Sequence, residues 1–553
     1  MRPRALVLGA ALSVAGAWAV PPALAQTSDP TRVFVVRLEP VSPGRVLGLL
    51  VGMGMEPGRD GGLALLAHAG RLDDVLEAAR ADPDLDVTVQ DGDDVSSAVL
   101  AGSGLPAAAA TAGQTWIVAG GSAPGASELG VVAMLPGSSD GEDHEIPTLT
   151  SDSTRRDGVV VAEDLLPTMR SLAGLPDPES GGAVIRPVDA PVPLELLERY
   201  VATRRMSVPI QTAAGLFVTI VGLFGVALLA WRERVPPWLP SVGAWAAISV
   251  VPLALSLLLV GHLGTLTYAS VLATTIAGTV VGCVAAALVA RRWGTTAALA
   301  ALGAVTIALF LLEAALGWTA VLATFLGGTQ LDGGRFFGLP NVDIGLLVGA
   351  GVFVAYGMMP GTAPGVALLA GLALFAGLPF AGANLGAAVT LGAVAGLWWG
   401  LRQGRRGWVI TAATLIGGGL GGALTLLSHA VLPGAPTHIT NFVEGEGGGL
   451  IGTVLHRWGT GVDLIVRNPF AIVPVIGVPA TMFAVLRPAA PVRASFERHP
   501  GWREALLAIL WGGVVAYAVN DTGAAALGLT FGTALGGLLF VSLRDRPWMM
   551  DVT

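Results

Sequence analysis

The sequence predicts an all-α membrane bundle of about eleven transmembrane helices preceded by a small extracytoplasmic α/β domain. Three observations predict it. Of the 553 residues, 53% are hydrophobic and only 13% are charged, where a soluble chain carries about a quarter. The acidic residues concentrate in the first part of the chain, while the second is apolar apart from short clusters. Arginines in that second part recur at every other break between apolar runs, except the short break after the fifth run.

The chain opens with the basic Met1 to Arg4, an apolar core from Ala5 to Val20, and the small residues Ala23 and Ala25 before Gln26. That order is a secretory signal peptide over residues 1–25. Pro21 and Pro22 break the helix ahead of the cleavage site. Residues 27–205 then read as an exported α/β domain. β-Branched or apolar runs at Val33–Val36, Trp116–Val118, Val131–Leu135 and Gly158–Ala162 predict strands. Helical spacing of apolar residues over Arg71–Ala81 and Asp164–Ala173 predicts helices between them. Alternating strands and helices imply a mostly parallel sheet.

Residues 206–553 form the polytopic part. The expected spans are 209–231, 238–260, 265–290, 296–318, 344–359, 363–380, 385–401, 408–431, 469–486, 504–519 and 523–543. If the first begins outside, the loops that then face the cytoplasm hold Arg232 and Arg234, Arg291 and Arg292, Arg402 to Arg406, Arg487 to Arg503, and Arg544 and Arg546. This is the positive-inside pattern, and it agrees with export of the N-terminal domain. The expected location is a bacterial plasma membrane with the C-terminus in the cytoplasm.

The same topology gathers the polar chemistry on the outer face. Leu331 to Asp343 interrupts the apolar sequence with Asp332, Arg335, Asn341 and Asp343. Polar groups at a membrane boundary are costly unless solvated, paired or used. Arg335 offers a fork of donors suited to phosphate or carboxylate. Asn520 and Asp521 end the tenth span on the same side. Candidate catalytic carboxylates are Asp521 and Asp332, and candidate substrate-binding residues are Arg335, Asn341, Asp343 and Asn520. Each also has a structural reading: Arg335 and the aspartates satisfy one another, and Asn520 caps a helix end. Glu313, inside the fourth span, needs a partner or a role.

Other classes are excluded or left without support. A net charge of −8 gives no footprint for nucleic acid. Cys283 alone excludes an intrachain disulfide and a multi-thiolate zinc site. His429, His438 and His456 match no compact metal spacing. The Gly445–Gly449 stretch follows no strand and precedes no Lys-Ser/Thr, so it is not a P-loop. No motif specifies a cofactor.

The stretch from Thr148 through Asp164-Leu-Leu-Pro-Thr168 to Leu172-Ala-Gly-Leu-Pro176 resembles the C-terminal part of alkaline-phosphatase/sulfatase-superfamily domains. Val33–Glu39 is similar to that superfamily's first strand, but Leu38 and Glu39 stand where the family has a metal-binding Asp. Such enzymes hold two metals with several Asp and His residues. Here the domain's histidines are His68 and His144. The resemblance therefore implies a truncated, inactive relative, and no catalytic residue carries over. The segments Gly334–Asn341 and Asn520–Gly523 resemble motifs of uncharacterised bacterial polytopic membrane proteins with phosphatase-like ectodomains.

Three functional readings remain open. The first is binding and processing or transfer of an anionic or lipid-linked substrate, such as a phosphorylated envelope precursor, at the outer face. The second is a transporter or flippase. The third is a non-catalytic scaffold whose pseudo-phosphatase ectodomain recruits a partner envelope protein.

Overall fold

The computed structural model describes residues 33–38, 62–67, 72–82, 87–91, 115–120, 130–136, 147–154, 156–176, 182–191, 194–263, 266–318, 321–326, 336–359, 361–432, 472–520 and 523–544. The expected signal peptide, Asp332, Arg335, Asp521, His438 and His456 lie outside them.

The N-terminal region is built on a sheet. Its strands are β1 (Val33–Leu38), β2 (Gly62–Ala67), β3 (Val87–Asp91), β4 (Thr115–Gly120), β5 (Gly130–Pro136), β6 (Pro147–Thr150), β7 (Val159–Val161) and β8 (Arg186–Pro191). The order is β3-β1-β4-β5-β2-β6-β8, with β7 also on β2. The pairs β1–β3, β1–β4, β2–β6 and β2–β7 are parallel, whereas β2–β5, β4–β5 and β6–β8 are antiparallel. The sheet is thus mixed rather than mostly parallel. One reason is that β5 follows β4 in the chain and pairs with it directly as an antiparallel neighbour. Helices α1 (Leu72–Ala81) and α2 (Leu165–Leu172) contribute Leu76, Leu165 and Met169 to one small core with Ile117, Val132 and Val160.

Helix α3 (Leu194–Ala230) leaves the sheet region and continues into the apolar half without interruption. The boundary expected near residue 205 therefore falls inside a helix. Pro209 is accommodated within it. The remaining helices are α4 (Leu239–Ile248), α5 (Val250–Leu259), α6 (Tyr268–Trp293), α7 (Thr295–Ala315), α8 (Ile344–Gly357), α9 (Thr362–Gly377), α10 (Leu385–Arg402), α11 (Gly407–Val431), α12 (Ile472–Leu486), α13 (Ala490–Arg498), α14 (Trp502–Val519) and α15 (Gly523–Arg544).

Among the described residues, eight helical segments are long and apolar enough to cross a membrane, with α4 and α5 acting as one. They become nine if α12 and α13, bent by 67°, form one broken span. This is the make-up of a multi-pass membrane protein whose apolar helices are compatible with a bilayer. It is fewer than the expected eleven. With 14 residues, α8 extends roughly 21 Å, short of the about 30 Å hydrocarbon core. With 16 residues, α9 is also short.

Burial sorts the helices. Almost all of α8 and most of α15 are buried, and Gly345 brings the two backbones together. A Cβ at Gly345 would strike Ala526 O and lie 2.9 Å from Thr530 N. By contrast, α6 and α11 leave Leu272, Val281, Leu288, Leu415, Ile416 and Leu427 exposed. These flanks suit lipid. Arginines sit at helix ends beside tryptophan: Arg402 over Trp398 at 5.6 Å, and Arg544 over Trp245 at 4.7 Å. Such pairs suit a headgroup region.

Candidate functional site

At the far end of α10 from Arg402, several irregular segments converge. The chain leaves α7 through Gly317 (φ 72°) and Trp318 (φ 63°), both left-handed, with Trp318 N donating to Glu313 O at 2.6 Å. The left-handed conformation is strained for Trp. Packing holds it: Trp318 is fully buried, and its Nε1 donates to Ala381 O at 2.7 Å. Ala381 belongs to the turn between α9 and α10, where Ala383 is the other non-glycine residue with positive φ, 46°. Gly338, at φ 90°, lets the segment before α8 lie directly on Gly382. Leu339 N then donates to Gly382 O at 2.7 Å.

Asparagines tie these turns together. Asn384, the N-cap of α10, accepts from Ala387 N at 2.9 Å. Its amide donates to Leu339 O at 2.8 Å and to Asn341 Oδ1 at 2.9 Å. Asn520, at the end of α14, packs against Gly386 in the first turn of α10 and donates to Ala516 O at 2.9 Å. Asn341 and Asn520, one from each polar stretch of the sequence, therefore both lie at the N-terminus of α10. Asn341, Asn384 and Asn520 are all buried there.

Asp343 differs from these asparagines. It is the N-cap of α8 but makes no side-chain cap bond. It is 0% exposed, and among the described residues neither carboxylate oxygen has a hydrogen-bond partner. Buried polar groups are nearly always satisfied, so such a group calls for a role. Glu313, on the last turn of α7, lies within electrostatic range of it. Glu313 is 3% exposed and contacts His262 Nε2 at 2.6 Å. His262 ends the short turn after α5.

The N-terminal region reaches the same place. Arg156, between β6 and β7, donates from Nε to Phe336 O and from Nη2 to Trp318 O, each at 2.7 Å. Burial pushes the Arg156 pKa below its ordinary value, with the nearby Tyr200 and Glu313 acting the other way. Thr203 on α3 reaches Ala323 O at 3.4 Å, and Arg199 reaches Gly261 O at 3.4 Å.

Asp164 and Thr168 are occupied by structural bonds. Asp164 stands at the N-cap position of α2, yet it makes no cap bond to that helix. Its carboxylate instead accepts from Ser151 (2.5 Å), Ser153 (2.6 Å), Val161 N (3.1 Å) and Ala183 N (2.9 Å). A 3-10 turn over Ala162–Asp164 precedes α2 and redirects the side chain toward these loops. Thr168 donates to Asp164 O and accepts from Ile185 N at 2.8 Å. Burial pushes the Asp164 carboxyl above its ordinary range, while the four donors pull it back.

Of the candidate residues, Asn341, Asp343 and Asn520 fall in or beside the knot; Asp332, Arg335 and Asp521 lie outside the described residues. Sequence reading missed His262 and Arg156. A signal for His262 was present: a carboxylate inside the fourth span needs a partner at its own depth, and His262 ends the span that alternation places on the same side. Arg156 gave no such signal. Elsewhere, His429 Nδ1 lies 2.9 Å from Thr425 O of its own helix. Among the described residues, no three His, Cys, Asp or Glu side chains converge to hold a metal ion. Comparison with models of known families, with curated proteins and with solved structures gives no match.

Proposed function

We propose that the chain is a bacterial inner-membrane protein of the cell envelope that binds an anionic or lipid-linked substrate and processes or transfers it at the extracytoplasmic face. In this reading residues 1–25 are removed on export. The sheet region and the α8–α10 knot lie outside, and the C-terminus lies in the cytoplasm. The observation that carries the reading is Asp343, a fully buried carboxylate with neither oxygen bonded to any described residue. Group transfer to a hydroxyl needs a base for the proton and a cation for the charge on the leaving phosphate. Asp343 is the base. Arg335 and the carboxylates Asp332 and Asp521, near Phe336 and Asn520 in sequence, are the candidates to complete the set. The N-terminal region contributes position rather than chemistry, because Asp164 and Thr168 are consumed by internal bonds.

The test is replacement of Asp343 by Asn, and separately of Arg335 by Ala, in the native host. Lipid-linked envelope intermediates are then measured by mass spectrometry. A transfer role predicts accumulation of at least roughly tenfold, the scale expected when a base is lost. Unchanged lipid profiles, with both variants as abundant as the native protein, would remove the basis of the proposal.

Transport is the second reading, and a specific feature favours it. Helices α8 and α9 are too short to cross alone, and α12–α13 is bent by 67°. Broken spans of this kind line substrate paths in secondary transporters. Movement of a lipid-linked phosphate across reconstituted vesicles, without chemical change to it, distinguishes transport from transfer.

A further inference from the structure

Away from the knot, at the Arg402 end of α10, one helix pair carries a feature that the proposed reaction does not use. Helix α12 is followed by Arg487 and Pro488, and Pro491 lies in the first turn of α13. Pro488 has no N–H with which to extend α12, so that helix stops and α13 leaves at 67°. Gly501, just after α13, lies against the Arg402 guanidinium, which places the bend at that end of the bundle.

Helix α12 has two unlike faces. Pro474, Val478, Thr481 and Val485 are buried, and Gly477 packs against the Phe531 ring of α15. Ile472, Ile476, Phe483 and Leu486 are exposed. Their helical spacing keeps them on one side. Helix α12 thus presents an apolar track that suits the bilayer and ends at Arg487.

Three guanidinium groups gather where the track ends. Arg503, in the first turn of α14, donates from Nη2 to Leu486 O at 3.2 Å. Arg493 on α13 donates from Nη2 to Pro488 O at 3.3 Å. Arg487 lies between these two acceptors in the chain, and its side chain bonds no described residue. All three arginines are exposed. Each of those bonds occupies a single N–H, and a guanidinium keeps further donors for a ligand. Glu497 on α13 and Glu504 on α14 are the neighbouring carboxylates in sequence, and among the described residues neither pairs with these arginines. Like charges at one turn repel one another unless an anion lies among them.

We infer that the α12–α13 bend is a binding site for an anionic phospholipid of the surrounding bilayer. The phosphate lies among Arg487, Arg493 and Arg503, whose planar forks suit its oxygens. An acyl chain lies along Leu486, Phe483 and Ile476. Charge at the boundary with hydrocarbon beneath it is the order that a lipid itself has. A soluble phosphate uses the arginines and leaves the apolar track idle. A zwitterionic lipid brings its own cation into the cluster. In the orientation proposed above this is the cytoplasmic leaflet, opposite the knot. The inference uses neither Asp343 nor group transfer, so the two proposals fail separately.

The experiment is native mass spectrometry of the full chain in mild detergent, titrated with phosphatidylglycerol or phosphatidylcholine. The native protein is expected to bind its first phosphatidylglycerol at least about fivefold more tightly than phosphatidylcholine, the scale of one arginine at an anionic headgroup. Arg487→Gln, Arg493→Gln and Arg503→Gln should each weaken phosphatidylglycerol about fivefold and leave phosphatidylcholine unchanged. The double variant Arg405→Gln, Arg406→Gln removes charge at the same end but outside the bend, and it should bind as the native protein does. Excess inorganic phosphate should not displace the bound lipid. Folding of every variant is checked by circular dichroism. The Arg487 side chain holds no part of the turn, so Arg487→Gln decides alone if the other two do not fold. Equal affinity for the two lipids overturns the inference, as does native affinity in folded Arg487→Gln. An equal loss in the Arg405/Arg406 variant overturns it too, because the charge of the whole end would then suffice. Displacement by inorganic phosphate would make this an anion site and not a lipid site.

Discussion

At the scale of single residues, the same side-chain type serves opposite ends here. Asp164 and Asp343 are both buried and both precede a helix. Asp164 accepts four hydrogen bonds, whereas Asp343 accepts none from the described residues. The first holds a structure together and the second is kept available. Asp164→Ala leaves two serine hydroxyls and two backbone N–H groups without their acceptor. The expected loss is about 3 kcal/mol, since some of those donors regain water. It should appear as faster limited proteolysis within residues 147–191 of the full chain, with the helical half unaffected. Proteolysis at the native rate would mean that these bonds contribute little. Spacing along the chain places Asp164 at a helix start, where capping is the ordinary role of an aspartate. Whether a side chain turns toward its own helix or toward neighbouring loops depends on tertiary contacts to Ser151 and Ala183, which spacing along the chain does not encode.

At the scale of elements, long apolar helices were legible and short ones were not. Tyr268–Trp293 and Gly407–Val431 match their expected spans within a few residues, because lipid imposes both length and composition. Helix α8 is equally apolar, but its surroundings are protein. Burial in protein and burial in lipid select the same residues, so hydropathy alone does not distinguish the two for a helix such as α8. Among strands, the β-branched Val33–Leu38 and Gly130–Pro136 were readable, while Gly62–Ala67, rich in Leu and Ala, was not. Close packing of α8 on α15 depends on Gly345. Gly345→Val would push a side chain into Ala526 O and the Thr530 backbone, and overpacking of this kind costs about 1–3 kcal/mol. The expected outcome is a lower thermal midpoint in detergent. Gly371→Val, where nothing lies within 4 Å of the added Cβ, should leave the midpoint near native and controls for helix propensity. Equal midpoints for the two variants would show that the α8–α15 contact is looser than this geometry requires.

At the scale of the whole molecule, the question is how the sheet region and the helices act as one body. Continuous helix α3 joins them covalently, and Arg156 joins them at the site itself. The Arg156 contact spans the chain from residue 156 to Trp318 and Phe336, and no periodicity or motif announces so long a link. Of its two carbonyl acceptors, Trp318 precedes the polar Leu331–Asp343 stretch and Phe336 lies inside it, so the arginine fixes both the strained turn at Trp318 and the approach to Asp343. Each charge-assisted bond contributes roughly 1.5–3 kcal/mol, offset by the cost of taking the guanidinium out of water. Arg156→Ala should therefore cost about 2 kcal/mol locally, equivalent to a roughly 30-fold rise in amide exchange. The rise is expected at residues 336–343, with α15 protected as before. Arg156→Lys keeps the charge but replaces the planar fork by one ammonium, so it should restore only part of the protection. If exchange at 336–343 stays native in Arg156→Ala, the knot is held by Asn384 and Trp318 alone, and the sheet region is not what sets the geometry around Asp343.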